Sequence, residues 1–451
     1  MNIKQLRQTI LDRAIRGQLV SQDPTDEPAS VLLERIRAEK EQLIKDKKLK
    51  REKRDNQPIE EVPFEIPEGW VWCRLGEIGE IIGGGTPSTS VEEYWNGEIS
   101  WITPADLSNY SNKYIACGKR NITQLGLENS SATLIPKGGI LFSTRAPIGY
   151  VAIADKPLST NQGFKNLYPF MDISKEFIYY FLLAEKEKIK LFASGTTFQE
   201  LSASAFSKIL IPLPPLAEQH RITQKVEQLL TIVDTIEQLQ EQLKAFVKQT
   251  KNQVLNYAIA GKLTHQDPNE EPAEELLKRI GKTTTTAADT PYGKLPEGWA
   301  CTQLQVLCQL LDGEKKEAVS LPYLDVAFLR GRTESNYKES GRYIPKNTHL
   351  ILVDGENSGE IFTTTTEGYQ GSTLKILNIS KEINEQYLFY VLKKEQQLFK
   401  ESKTGSAIPH LNKKLFKGLK VLLPPLAEQH RIVQKIESFF ASFDQIEKML
   451  T

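Results

Sequence analysis

The chain has 451 residues, 39% hydrophobic and 25% charged, so it is long enough for more than one domain with its own core. Its 57 basic residues are balanced by 57 acidic ones, which excludes a uniformly basic coat for nucleic acid and leaves only local charge to work with. No apolar run approaches the ~20 residues of a membrane span, and the start Met1–Gln8 has no signal-peptide core, so a cytoplasmic protein without membrane contact is expected.

Residues 1–20 read as a short helix with Ile3, Leu6 and Ile10 on one side, broken by Asp23-Pro24 and Glu27-Pro28. Residues 29–54 again read as helical, with a basic end at Lys45–Arg54. The first globular segment opens with Pro67-Glu-Gly-Trp70 and passes the glycine-rich Gly83-Gly-Gly-Thr-Pro-Ser88. Strand-like pieces fall at 99–102, 139–143 and 149–153, and helical patterns lie near 174–192 and 201–208. Leu213-Pro-Pro-Leu-Ala-Glu-Gln-His-Arg-Ile222 closes the segment; its prolines stop the globular part and a helix starts just after them.

From residue 216 to 260 apolar side chains recur in steps of four and three, at Ile222, Val226, Leu229, Val233 and Ile236, then Leu243, Val247 and Val254. That is a coiled-coil seam on a helix roughly 65 Å long. Asp267-Pro268 and Glu271-Pro272 repeat the earlier breaker, and a Thr-rich linker spans 282–291. The second globular segment begins at Pro296-Glu-Gly-Trp299 and ends at Leu423-Pro-Pro-Leu-Ala-Glu-Gln-His-Arg-Ile432, the same ten residues again, 210 positions on. A last seam runs through Ile432, Ile436, Phe439, Phe443 and Ile446.

The repeats carry two offsets. The Pro-Pro helices match at 210, and the N-terminal helix matches the second half of the central one at 244, pairing Ile3 with Val247 and Gly17 with Gly261. Residues 426–451 followed by 1–20 therefore reproduce the central helix. The expected fold is α+β: two globular mixed α/β domains joined by two long antiparallel coiled-coil helices, in a circular arrangement with a pseudo-twofold axis. The expected boundaries are 1–58 for N-terminal helices and connector, 59–215 for the first domain and 216–264 for the spacer helix. Residues 265–292 form connector and linker, 293–425 the second domain and 426–451 the last helix. The domains align weakly, Gly149-Tyr-Val151 with Gly359-Glu-Ile361 and Gln162-Gly163 with Gln370-Gly371.

Catalytic chemistry is not assembled. The glycines at 83–85 lack the ending of a phosphate loop, no His-Glu-x-x-His occurs, and Cys73, Cys117, Cys301 and Cys308 have no metal-ligand spacing. His220 and His430 are expected to cap or pack the helix starts, and Asp312-Gly-Glu-Lys-Lys316 reads as an exposed turn. Groups suited to DNA are more frequent: Arg, Asn and Gln reach base edges, while Ser, Thr and Lys hold phosphates. The candidates are Thr86, Ser88, Arg145, Asn161 and Gln162 in the first domain. In the second they are Arg330, Arg332, Asn357, Ser358, Gln370, Lys403, Lys413 and Lys414, the last three in a basic stretch from Lys393 to Lys420.

The doubled Leu-Pro-Pro-Leu-Ala-Glu-Gln-His-Arg-Ile, the doubled Pro-Glu-Gly-Trp, Ala258-Ile-Ala-Gly-Lys-Leu263 with Ala14-Ile-Arg-Gly-Gln-Leu19, and Tyr94-Trp-Asn-Gly-Glu-Ile-Ser-Trp101 resemble the specificity subunits of type I restriction–modification systems, over nearly the whole chain. The resemblance implies two target-recognition domains, each reading one half of an asymmetric bipartite site in double-stranded DNA, with the helices as a ruler between them. It implies a non-catalytic subunit that docks two modification subunits, which methylate adenine, and joins restriction subunits. S-adenosylmethionine, ATP and Mg would belong to those partners, with no cofactor in this chain. The competing reading is a coiled-coil scaffold with no nucleic-acid role.

Overall fold

The structure is a computed structural model of the chain. It describes residues 2–49, 59–145, 147–171, 173–194, 199–281, 295–334, 336–405 and 409–450. The expected linker at 282–291 and the basic stretch beyond Leu49 lie outside the described residues. Two compact units divide between Leu239 and Gln240, inside the long helix the heptads predict.

In the N-terminal unit, α1 (Ile3–Ile15) is capped by the Asn2 side chain, which accepts from the Gln5 amide at 3.1 Å. The helix is shorter than the expected 1–20 because Gly17 turns the chain at φ +67°, where a Cβ would lie 2.3 Å from the Pro67 ring. α2 (Ala29–Lys45) follows Pro28. The strands are β1 (Val71–Arg74), β2 (Gly79–Gly83), β3 (Trp95–Ile102), β4 (Ile140–Ser143), β5 (Val151–Ala154), β6 (Ser159–Thr160) and β7 (Phe164–Pro169). α3 (Lys175–Lys190), β8 (Leu210–Leu213) and the unbroken α4 (Leu216–Ile259) complete it. The main sheet runs β2-β7-β4-β5, with Tyr114–Ile115 added in parallel beyond β5. β3 lies between Arg120–Ile122 and β6, and β1 pairs with β8 so that Val71 faces Leu213.

The apolar faces of α1, α2 and α3 and the first half of α4 meet the sheet in one core around Ile15, Ile36, Phe142, Phe177, Ile222 and Val226. Each such fully buried side chain contributes roughly 1.5–3 kcal/mol. Arg7 reaches Asp234 at 2.6 Å and Glu237 at 2.8 Å, while Gln22, beyond the other end of α1, reaches Glu218 at 3.1 Å. α1 therefore runs antiparallel to α4.

The C-terminal unit repeats this plan. After the second half of α4 come α5 (Ala273–Arg279), β9 (Ala300–Gln303), β10 (Cys308–Leu311), β11 (Glu314–Leu324), β12 (Tyr337–Ile344), β13 (His349–Leu352), β14 (Ile361–Thr363), β15 (Gly368–Gln370) and β16 (Leu374–Ile379). α6 (Glu385–Glu401), α7 (Lys413–Gly418), β17 (Lys420–Leu423) and α8 (Leu426–Met449) follow. The sheet is β10-β16-β13-β14; β11, β12 and β15 each pair with the other two, and β9 pairs with β17 so that Ala300 faces Leu423. Lys251 binds Asp444 at 2.8 Å and Glu447 at 2.9 Å, and Gln266 binds Glu428 at 3.1 Å. These are the Arg7 and Gln22 contacts again, at the 244 and 210 offsets, so α8 runs antiparallel to its part of α4. The chain is α+β, with a heptad-paired helix in each unit.

The identical ten-residue stretches act as a latch. Buried Glu218 accepts from the Trp70 indole at 2.9 Å and from Gln22; buried Glu428 accepts from Trp299 at 2.8 Å and from Gln266 and Thr264. Burial pushes the Glu218 carboxyl above its ordinary pKa, against those donors. Gln219 accepts from the Ser174 amide at the start of α3 and donates to the Pro214 carbonyl; Gln429 does the same with Asn384 and Pro424. Arg221 holds Asp26 at 2.6 Å, and Arg431 forks onto Glu270. One segment so joins the breaker loop, the Pro-Glu-Gly-Trp entry and the sheet-covering helix.

Candidate nucleic-acid interface

In the N-terminal unit four chain segments converge at one end of the sheet. The Gly85 amide donates to the Thr160 carbonyl at 2.9 Å, Asn161 donates to Ile102 at 3.0 Å, Thr144 to Gly163 at 2.7 Å, and Leu201 to Thr144 at 3.0 Å. A Cβ on Gly84 would fall 1.9 Å from the Asn161 carbonyl, so glycine is required for the 83–85 run to pass this close. These backbone bonds bring Thr86, Arg145, Asn161 and Gln162 together. The Thr86 hydroxyl donates to the exposed Gln162 side chain, and the Asn161 side chain accepts from the Gly163 amide at 3.0 Å. Ser88 bonds Ser90 at 2.8 Å. Arg145 is exposed and donates to Glu200 at 2.8 Å; that bond, with Lys165 behind it, holds the Glu200 carboxyl below the usual carboxylate range.

The C-terminal unit has the same backbone at the same place. Gly371 donates to Leu324 at 3.1 Å, Val353 to Thr373 at 2.8 Å, and Leu411 to Val353 at 2.8 Å. Asn161 therefore corresponds to Gly371, and Gln370 to Thr160. The sequence pairing of Gln162-Gly163 with Gln370-Gly371 is out of register by two residues, and Ser372 occupies the place of Gln162. The bridge between Arg145 and Glu200 recurs as one between Asp354 and His410. There the His410 Nδ1 lies 2.7 Å from Asp354. A cation–carboxylate pair with the cation on the first loop becomes a pair with the carboxylate on the first loop.

The remaining candidates separate by exposure. Arg332, Asn357, Lys413 and Lys414 are exposed, the lysines in the first turn of α7. Lys403 is held on Glu356 at 3.1 Å, and Arg330 pairs with Glu360. Ser358 is buried, its hydroxyl without a hydrogen-bond partner among the described residues. Gln370 is buried as well: its side chain accepts from the Gly313 amide and donates to Asp312 and to the Leu374 carbonyl, so it braces the loop instead of facing outward.

Two sequence expectations need correction here. Asp312–Lys316 is exposed as expected but is not a turn: Glu314, Lys315 and Lys316 open β11, and Asp312 pairs with Lys375 and Arg342. Nor is Lys393–Lys420 one basic face. Lys393 donates to the Ile361 carbonyl at 2.8 Å, and burial pulls its pKa below the ordinary lysine value. Sequence reasoning missed Lys165, Glu200 and His410 as partners in the loops and read Asp354 only as the start of the polar stretch Asp354–Ser358; the signal for the pairing was the alignment of Ser194 and Leu201 with Thr404 and Leu411. His430 lies 2.8 Å from the Asn384 side-chain amide, and both His220 and His430 are exposed. Among the described residues no group of three His, Cys, Asp or Glu is placed to hold a metal, and no helix is long and apolar enough to cross a membrane.

The family model described as the type I restriction modification DNA specificity domain matches residues 67–245 and 296–451. The specificity subunit of the type I restriction enzyme MjaIX of Methanocaldococcus jannaschii is 46% identical over 159 residues, 35% of this chain and 37% of that protein. The EcoEI specificity subunit of Escherichia coli is 28% identical over an alignment covering 99% of this chain and 91% of its own length. Among solved structures, the HsdS subunit of Thermoanaerobacter tengcongensis shares the fold with a TM-score of 0.55 at 20% identity, covering 86% of this chain and 93% of that one.

Proposed function

The chain belongs to the type I restriction–modification DNA specificity family, and from that premise we propose that each of its two units reads one half of a bipartite double-stranded DNA target. Its role is sequence specificity and not catalysis. The observation that carries the two-reader reading is the loop cluster built twice on one backbone pattern with different side chains, Arg145 with Glu200 in one unit and Asp354 with His410 in the other. A shared scaffold with exchanged donors and acceptors is what two readers of unlike base edges need, since an arginine donates to guanine and a carboxylate accepts from cytosine.

In the first reader, Arg145 and Gln162 address base edges, and Thr86, Ser88 and Asn161 address phosphates or fix the loop. In the second, Arg332, Asn357, Lys413 and Lys414 face DNA, with Lys403 beside them; Arg330, Ser358 and Gln370 shape the loops from inside. The helix pairs act as the spacer. Modification subunits dock on the helices, and restriction subunits join that complex; S-adenosylmethionine, ATP and Mg act in those partners. Support for helix docking comes from Ile232 and Leu239, apolar residues seven apart on α4 that are 54% and 57% exposed.

The test is to replace residues 59–215 with the matching domain of another specificity subunit, in the complete complex, and map methylated adenines across a genome. One half-site changes and the other persists; a change in both halves rejects the reading. A short helical insertion at Gln240 alters only the spacing between half-sites, and unchanged spacing rejects the ruler.

A further inference from the structure

The two sheets end differently. In the N-terminal unit the outer edge of β5 is covered by the chain's own segment Lys113–Ile115: Ile153 donates to the Lys113 carbonyl at 2.9 Å and Asp155 to the Ile115 carbonyl at 2.9 Å. Side chains seat that strand. The Lys113 ammonium pairs with Glu227 of α4 and lies 5.6 Å from the Tyr180 ring, and the Tyr114 hydroxyl donates to Glu176 of α3.

In the C-terminal unit the counterpart edge is β14, and among the described residues no strand pairs with its outer side. Its first residue is closed, since the Ile361 amide donates to Gln396 at 3.1 Å and its carbonyl accepts from Lys393. The other end, Thr363 to Thr365, matches Ile153 to Asp155, and both threonines are exposed there. The seat is still present. Glu437 of α8 stands where Glu227 does, exposed and with no ion pair among the described residues. Tyr390 stands for Tyr180 and Gln386 for Glu176. Beside them opens a cleft of about 670 Å³ lined by His349, Thr363, Asn384, Glu385, Gln386 and His430. Glu385 and Lys381 both line the cleft, and the exposed carboxylate of the seat is that of Glu437.

An open sheet edge next to a preserved seat is a template for strand addition, in which main-chain bonds give affinity and side-chain pockets give choice. We propose that β14 accepts, in parallel, an extended segment of a partner protein carrying a lysine or arginine followed by a tyrosine or phenylalanine, the cation on Glu437 and the ring in the cleft. The proposal rests on the family reading only in expecting such a partner among the other subunits of the complex.

The probe is a fluorescent peptide of residues 110–116, Tyr-Ser-Asn-Lys-Tyr-Ile-Ala, titrated onto the full chain. Saturable binding is expected, falling at least tenfold with Glu437→Lys on the chain and with Lys-to-Glu in the peptide. Thr363→Pro removes the outward N–H and is expected to act alike. Because that variant can also disturb the sheet, Glu437→Lys, on an exposed helix position, decides. No saturable binding, or binding indifferent to Glu437→Lys, overturns the proposal. Displacement of the peptide by duplex DNA overturns it too, since the occupant would then be nucleic acid. The titration contains no DNA in its first arm, so its failure leaves the DNA-reading function standing, and loss of DNA reading leaves the titration interpretable.

Discussion

The N-terminal and C-terminal units agree wherever their side chains are buried at the latch and disagree wherever their loops reach solvent. Glu218, Gln219 and Arg221 contact an indole, a helix-start amide and a carboxylate as Glu428, Gln429 and Arg431 do, the second copy adding Thr264 on Glu428. In the loops, Arg145–Glu200 has become Asp354–His410. The difference teaches where each kind of residue is constrained: a buried carboxylate that two or three donors converge on is costly to replace, whereas an exposed pair on a fixed backbone can be exchanged.

The sharpest way to break this comparison is to remove the latch. Glu218→Ala and Glu428→Ala should each cost roughly 3 kcal/mol, the upper end for a buried donor left unsatisfied, because the Trp70 and Trp299 indoles lose their acceptor in the interior. Hydrogen exchange resolved by peptide should register each loss in its own unit and to a similar extent; a silent variant in either would end the equivalence. Next comes a real asymmetry. His349, in β13 where the N-terminal unit has Ile140, is buried against the Phe389 ring at 4.2 Å, and burial lowers its pKa to about 4. The folded unit thus keeps the imidazole neutral. Its contribution is complete above the unfolded value near 6.5 and is lost as pH falls from there to about 4, on the order of 2–3 kcal/mol. His349→Ile should flatten the stability of the C-terminal unit across that window, read by urea unfolding at several pH values, and leave the other unit unchanged.

Smaller effects concern recognition. Arg145→Ala should weaken specific binding by about 1–3 kcal/mol and relax one half-site, while Asp354→Ala relaxes only the other. Fluorescence anisotropy on targets altered in one half at a time separates the two; equal losses on specific and non-specific DNA would reduce these residues to phosphate contacts. The slightest expected change is in Lys413→Ala and Lys414→Ala, each below about 1 kcal/mol, seen as a salt dependence shallower by about one counterion per lysine with no change in preferred sequence.

Much of the frame was legible because heptads and long identities are long-range signals. The 244 offset alone anticipated that Lys251 would take the position of Arg7, and the 210 offset that Asp444 and Glu447 would take those of Asp234 and Glu237. The loops were less legible. A Gln-Gly dipeptide recurs two positions away from its structural counterpart, so matching by letters put Gln370 on the surface, while the strand register puts it inside. A run of lysines does not reveal that Lys393 turns inward to a carbonyl. Burial of single side chains depends on sheet order, and sheet order was not readable from periodicity in segments this short.

The main contacts of the ten-residue latch go to residues with their own counterparts: Trp70 with Trp299, Gln22 with Gln266, Asp26 with Glu270, Ser174 with Asn384. For a lineage under pressure to change what it recognises, this makes the seam a safe place for crossover. A new reader that arrives with an entry tryptophan and a capped covering helix finds its fittings waiting, and the loops are free to diverge from the first generation onward.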